Sequence, residues 1–243
     1  MIYDINFYKS IKSGSSNSSE EIIPIIIQEF KIGSVLDIGC GTGTWLNTWL
    51  NNGIEDVFGV DGHYVNPIQK LIEQNKYLPF DIKKSFDLNR KFDIVTCLEV
   101  AEHVEEECLD ILLNNLTIHS NLILFSAAQP GQGGLYHLSE KPLTYWIKKF
   151  HSLNFLAFDF IRPKIYKNKR IEPWYKYNIL IFVKKDEIKN LSSDIYNSLL
   201  NQDDEPKVYD SFLWIIRRII NINLPYNLKN IIAKFIYNCK SRY

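Results

Sequence analysis

The sequence predicts an α/β fold: a mostly parallel sheet with helices on both faces. Three observations predict it. Apolar strand-like runs recur at 34–38, 56–61, 93–98 and 121–126. Helical stretches separate them at 43–52, 65–75 and 104–116, and strands that alternate with helices form parallel crossovers. The run VLDIGCGTGTW, Val35–Trp45, reads as a buried strand that ends in a glycine turn and opens a helix.

Taken in order, residues 11–20 (IKSGSSNSSE) are polar and rich in glycine and serine, which predicts a flexible loop. Glu20–Phe30 carries apolar residues suited to a helix, with Pro24 near its start. After the first two strands, KYLPFD at 76–81 is a short strand candidate that Pro79 weakens. The stretch 126–142 is a long loop with three glycines and two prolines, followed by an amphipathic helix at 143–152. Two further apolar runs, 155–163 and 177–184, are joined by a polar, aromatic connection and suggest an antiparallel hairpin at one sheet edge. Residues 185–206 are polar and bridge to a tail. There Leu228, Ile231, Ile232, Phe235 and Ile236 follow helical spacing, with Lys229 and Lys234 elsewhere on the helix. The expected division is an N-terminal arm, lid and helix at 1–33, a central domain at 34–186 and a basic amphipathic helical extension at 187–243.

Lysine plus arginine and aspartate plus glutamate both number 28, which argues against a polyanion as obligate partner. The balance is uneven along the chain. Residues 207–243 hold seven lysines and arginines against Asp210 alone, so the remainder is acidic. Cys40, Cys97, Cys108 and Cys239 show no metal-like spacing, and no metal site is expected. The N-terminus lacks the apolar stretch of a signal peptide, and the run Phe212–Ile216, broken by Arg217 and Arg218, is too short to span a bilayer. A reducing, cytoplasmic setting is expected.

The glycine turn bears on chemistry through what it lacks. A dinucleotide turn wants G-x-G-x-x-G, whereas Gly39, Gly41 and Gly43 are spaced G-x-G-x-G and Thr44 stands at the third position. Asp37 beside the turn would repel a pyrophosphate on a helix N-terminus. It suits a cofactor that carries a cationic ammonium and sulfonium and no phosphate, as S-adenosylmethionine does. The ends of the next strands supply partners for such a molecule. Asp61 is placed to accept from both ribose hydroxyls. Asp81 is placed to accept from the adenine amino group, with Ile82 beside the ring, and Leu98 and Glu99 border the methionine end.

On Val35–Trp45, Val57–Gly62 and Phe92–Val104, the chain resembles the class I S-adenosylmethionine-dependent methyltransferases over roughly residues 30–185. The resemblance implies a Rossmann-like fold with a seven-stranded sheet in the order 3-2-1-4-5-7-6, the seventh strand antiparallel. It implies S-adenosylmethionine as cofactor, bound by Asp37, Gly39, Cys40, Gly41, Thr42, Gly43, Trp45, Asp61, Gly62, Asp81, Ile82, Leu98, Glu99 and His103. A narrower resemblance rests on LEVAEHV, on PGQGG followed by His137, and on the later Trp174–Tyr175 segment with Asn178. It is to small bacterial methyltransferases often found beside surface-glycan genes. The acceptor implied is a hydroxyl or amine on a small polar precursor, phosphorylated or not, of a surface glycan or capsule.

Methyl transfer is an in-line displacement in which holding donor and acceptor collinear supplies up to about 7–11 kcal/mol. A base is needed where the acceptor must lose a proton, and contributes roughly 10²–10⁴-fold. His137, on the loop after the fifth strand, is the first candidate, with a structural loop role as the bland alternative. His103 is favoured as a helix-start residue that shapes the cofactor pocket. Gln132 and Tyr136 on the same loop, and Arg162, Tyr166, Trp174, Tyr175 and Asn178 in the closing connection, are candidate acceptor contacts, against the reading of a solvated hairpin. Tyr8 and Gly14 are candidates for a lid over the cofactor.

Three alternatives stay open. The acceptor could be a lipid or natural product met at a membrane surface, the chain could be a non-catalytic cofactor-binding partner subunit, and the C-terminal helices could bind a membrane surface or pair two copies. A nucleic-acid acceptor is disfavoured because CLEV stands after the fourth strand instead of an Asp/Asn-Pro-Pro-aromatic motif. A dehydrogenase is disfavoured by Thr44.

Overall fold

A computed structural model describes residues 5–65, 71–225, 227–229 and 231–233, and the side chains from residue 13 onward apart from Tyr64. The elements are α1 (Ile5–Glu29), β1 (Ser34–Ile38), α2 (Thr44–Asn51), β2 (Asp56–Asp61), β3 (Tyr77–Pro79), β4 (Ile94–Leu98), α3 (Leu109–His119) and β5 (Leu122–Ser126). They continue with α4 (Leu143–Ser152), β6 (Phe155–Phe158), α5 (Arg162–Ile165), α6 (Pro173–Asn178), β7 (Leu180–Lys184), α7 (Ser193–Tyr196), β8 (Leu199–Leu200) and α8 (Phe212–Ile222).

The strands form one sheet in the order β3-β2-β1-β4-β5-β7-β6-β8. The first five pair in parallel, and β7 runs antiparallel between β5 and β6. This is the expected order with one strand added, since β8 pairs antiparallel with β6 at the edge. Side chains alternate between the two faces with a period of two. Val35, Ile94, Leu124 and Ile181 enter the core on one face, and Leu36, Val95, Ile123 and Phe182 enter the core on the other. Both faces are therefore covered, which is why the strands read as continuous apolar runs. All five parallel strands end at one edge, and the site opens there.

Three local expectations need correction. Residues 11–20 are not a loop but part of the 25-residue helix α1, which places Pro24 inside the helix. The small residues let α1 lie close to its neighbours, and their hydroxyls are satisfied. Ser18 Oγ donates to the Gly14 carbonyl at 2.7 Å, and Ser19 shares a buried 2.7 Å bond with Thr48 of α2. No helix spans the described parts of 65–75. His63–Val65 and Gln74–Lys76 are single 3-10 turns, and Leu71 N donates to the Thr42 carbonyl at 2.9 Å, which lays the segment over the glycine turn. The run 155–163 is strand only to Phe158, because Arg162–Ile165 turns helical around the buried Arg162–Asp159 pair. The interrupted run at 212–216 belongs to a full helix, α8, in which Arg217 and Arg218 face the body of the molecule. Residues 227–229 and 231–233 of the expected tail helix are helical, while Lys234, Phe235, Ile236 and Cys239 lie outside the described residues.

Candidate functional site

A cavity of about 610 Å³ lies at the C-terminal ends of the parallel strands, within the usual size of a small-molecule site. Its floor is the turn after β1. Gly39, Gly41 and Gly43 have φ of 83°, 54° and 83°, a left-handed conformation that favours glycine. A Cβ on Gly39 would collide with the Val100 side chain. The turn exposes backbone where a side chain would stand, and Thr44 opens α2 directly behind it.

Acidic residues surround that floor. Asp37 is buried and accepts from Thr96 Oγ1 at 2.6 Å. Burial lifts its pKa from 3.8 to about 7, with Thr96 opposing and Asp61 adding to the rise. Asp61 is fastened to the turn, since Oδ2 accepts from Gly41 N at 2.7 Å and Oδ1 from Gly62 N at 2.6 Å. Tyr77 Oη donates to the carbonyls of Asp61 and Gly62, so the end of β2 is held from behind. Asp81 caps its own turn through Lys83 N, and Asn115 Nδ2 donates to the Ile82 carbonyl, which fixes both residues at the cavity wall.

Glu99 sits just past β4 with φ 56°, a strained backbone for a non-glycine residue and one that persists where its surroundings enforce it. Glu99 N donates to the Ser126 carbonyl at 2.9 Å. Its carboxylate accepts from Gln132 Nε2 at 2.7 Å and Asn178 Nδ2 at 3.1 Å, and Asn178 also donates to Gln132 Oε1 at 2.7 Å. Three residues far apart in sequence thus close one polar triangle. Burial still pushes the Glu99 carboxyl up against these hydrogen bonds.

The far wall is the loop after β5. His137 Nδ1 pairs with Glu140 Oε1 at 2.9 Å. Glu140 also accepts from Gly131 N and Gly133 N at 2.8 and 2.7 Å. Burial would raise the Glu140 carboxyl, but the bonds from His137 and the two glycines outweigh it and hold the group low. The His103 ring lies edge-on to His137 with centroids 4.9 Å apart, and its Nδ1 meets the Tyr136 carbonyl at 3.3 Å. Burial, then the neighbouring His137, pushes His103 down to about 3, so it is neutral.

Of the cofactor candidates, Asp37, Gly39, Cys40, Gly41, Thr42, Trp45, Asp61, Gly62, Asp81, Ile82, Leu98, Glu99 and His103 line this cavity. Gly43 lies beneath it against Ile72. Of the acceptor candidates, Gln132, Tyr136, His137, Trp174 and Tyr175 line it, and Asn178 supports it through Glu99. Trp45 and Tyr175 meet edge-to-face at 5.1 Å, and Ser15 of α1 shares a 3.1 Å bond with the Tyr175 hydroxyl. Two candidates do not join them. Arg162 is buried in a bidentate pair with Asp159 at 2.9 and 2.6 Å, a structural use of its guanidinium, and Tyr166 packs on Tyr209 with centroids 5.0 Å apart. The Tyr8 side chain lies outside the described residues. Gly14 packs inside α1 against Glu172, a residue of the cavity lining.

Sequence reasoning missed Glu102, Glu140 and Arg217. Glu140 stands three residues after His137, a spacing that a search for acid partners of the base would have found. Arg217 comes from α8, which no local pattern tied to the site. Arg218 Nε donates to the Pro130 carbonyl at 3.0 Å and Asn221 Nδ2 to the Gly131 carbonyl at 3.1 Å, so the helix docks on the loop. That docking brings Arg217 to the cavity mouth, its guanidinium 4.7 Å over the Trp214 ring. No ion pair of Arg217 occurs among the described residues.

Comparison with known proteins follows the same lines. The family model described as a methyltransferase domain matches residues 18–151. Comparison with curated protein sequences gives no match. Among solved structures, the chain is similar to the sugar N-methyltransferase KedS8 from Streptoalloteichus sp (15% identity, TM-score 0.57, 76% of this chain and 93% of that one). It is also similar to the methyltransferase domain of bacterial CtHen1 (16% identity, TM-score 0.52, 70% and 98%). A match to a methyltransferase from Clostridium acetobutylicum has 18% identity, a TM-score of 0.38, and covers 46% of this chain and 50% of that one. The chain thus spans about half the length of some structures it matches, and these likenesses speak to the fold.

Proposed function

The chain belongs to the S-adenosylmethionine-dependent methyltransferases, and from that premise we propose that it moves a methyl group to a hydroxyl or amine of a small polar, anionic acceptor. The observation that carries this is the continuity of one cavity from the Asp37–Asp61 floor to His137 and Arg217. In this reading Asp61 takes the ribose diol, Asp81 and Ile82 take the adenine, and Asp37 and Glu99 face the cationic methionine end. The cofactor's charge offsets the cost of holding those carboxylates ionised away from water.

The acceptor enters between Trp174, Tyr175 and the loop at 132–137. Glu140 orients the His137 imidazole as a triad carboxylate does, so the proton leaves the acceptor towards that corner. The methyl carbon then bonds to the acceptor as the carbon–sulfur pair passes to sulfur. Arg217 at the mouth supplies a cation for a phosphate or carboxylate remote from the reacting group. A phosphorylated precursor of a surface glycan or capsule fits these needs, and the loop resemblance supports that assignment.

One observation favours a second reading, a lipid acceptor at a membrane surface. The outward face of α8 is apolar, with Phe212, Leu213, Ile216, Ile219 and Ile220 all exposed. Binding of S-adenosylmethionine by calorimetry, followed by a donor-consumption screen over sugar phosphates, sugar nucleotides, phosphorylated amino alcohols and lipid-linked sugars, tests both. Turnover of a soluble anionic acceptor with loss of at least about 10²-fold in His137→Ala is the expected result. No binding of the donor sinks the proposal, and turnover of lipid-linked acceptors alone transfers it to the second reading.

A further inference from the structure

The corner around His137 holds more ligand chemistry than a base requires. One carboxylate oxygen of Glu102 and one ring nitrogen each of His103 and His137 lie within 4.8 Å of one another. Ligands at about 2.0–2.2 Å from an ion sit about 3–4 Å apart, so rotamer adjustments of under about an ångström close the set. Glu102 is 1% exposed, and its Oε2 has no hydrogen-bond partner among the described residues. A buried polar atom left unpaired costs about 1–3 kcal/mol, more for a charged group. Glu102 lies against Glu99, so two carboxyls share the corner.

The histidines are prepared in the way metal ligands are. A metal-bound imidazole donates its other ring N–H to a carboxylate or a backbone carbonyl, which fixes the tautomer. His137 has Glu140 in that role at 2.9 Å, and His103 has the Tyr136 carbonyl at 3.3 Å. With the proton on Nδ1, each ring carries its lone pair on Nε2.

We infer that Glu102, His103 and His137, with Glu99 alongside, bind one divalent transition-metal ion at the acceptor end of the cavity. Mixed imidazole and carboxylate ligands suit Mn²⁺, Fe²⁺ or Zn²⁺ better than Mg²⁺ or Ca²⁺. The inference deepens the methyltransferase reading and rests on it for the ion's use. An open coordination position takes the acceptor hydroxyl and lowers its pKa, as bound ions do for water. The hydroxyl proton passes to solvent, the oxygen attacks the methyl carbon, and the carbon–sulfur electron pair goes to sulfur. The acceptor is then a hydroxyl, and His137 acts on it through the ion.

The test begins with chelator-stripped full-length protein, titrated separately with Mn²⁺, Zn²⁺ and Mg²⁺ by calorimetry, with metal content read by mass spectrometry after dialysis. Binding of S-adenosylmethionine is measured on the same samples. One Mn²⁺ or Zn²⁺ per chain, weakened at least about tenfold in His103→Ala and about 10–100-fold in Glu140→Gln, is the expected outcome. Co²⁺ should give a visible absorption band that His103→Ala shifts or abolishes. Failure of the native chain to hold Mn²⁺ or Zn²⁺, or retention unchanged in His103→Ala, overturns the ion site. If the stripped protein still binds the donor and methylates its acceptor in the presence of chelator, the ion falls and the methyltransferase reading stands. If the ion binds but the donor does not, the reverse holds.

Discussion

Asp37 shows what a single carboxylate contributes when it is kept from water. Its pKa of about 7 against 3.8 in a free side chain makes the ionised form cost on the order of 4 kcal/mol. The sign follows from proton binding. Between pH 3.8 and about 7 the folded state holds the proton more tightly than the unfolded state, so this residue's contribution to stability falls as pH rises through that window. Asp37→Asn, which can still accept from Thr96, should therefore raise the stability of the ligand-free protein at pH 8 and flatten its dependence between pH 5 and 8 in denaturant titrations. The same variant should bind S-adenosylmethionine about tenfold or more weakly by calorimetry, a loss of at least about 1.4 kcal/mol. Gly134 makes the complementary point, since a Cβ there would run into His137 Nε2. Gly134→Ala should leave donor binding unchanged while turnover drops at least about tenfold, because the added methyl displaces the imidazole.

At the scale of elements, legibility followed how local each signal was. Strands 34–38 and 56–61 and the helix at 143–152 match closely, because burial on two sheet faces and an amphipathic stripe are written in consecutive residues. Asp61 and Leu98, which line the cavity, were legible for the same reason, each closing a strand. Residues 11–20 misled because serine and glycine mark loops only where nothing covers them. Here Thr48 and Tyr175 accept or share the hydroxyl bonds. Helix α8 was unreadable as part of the site because its pattern is inverted. Arg217, Arg218 and Asn221 point inward with Trp214, and the isoleucines point out. The bonds from α8 to Pro130, Gly131 and Gln132 make it a brace for that loop. Asn221→Ala removes a donor shared by the Gly131 and Gln132 carbonyls, which should cost about 1–2 kcal/mol of local order. Faster amide exchange over 131–137, with the sheet unaffected, is the expected outcome.

For the molecule as a whole, the exposed stripe on α8 and the surplus of basic residues after 207 lie on the segment that carries Arg217 to the cavity mouth. No helix among the described residues is long and apolar enough to cross a membrane, and the exposed stripe offers a face for contact along a surface. Flotation with anionic vesicles should carry the native chain upward and release it in a Phe212→Ser, Leu213→Ser, Ile219→Ser variant. Concentration-dependent dimerisation lost in that variant, with no flotation, would instead assign the stripe to a second copy.

The docking of α8 on Pro130 and Gly131 has a thermodynamic consequence. Hydrogen bonds join that helix to the loop at 130–132, so on the proposed acceptor site any free energy that an outside contact adds to the docked position is felt at the acceptor. Linkage makes the exchange symmetrical. Whatever settles on the isoleucines should tighten acceptor binding, and a bound acceptor should in equal measure hold the chain to its surface or its twin.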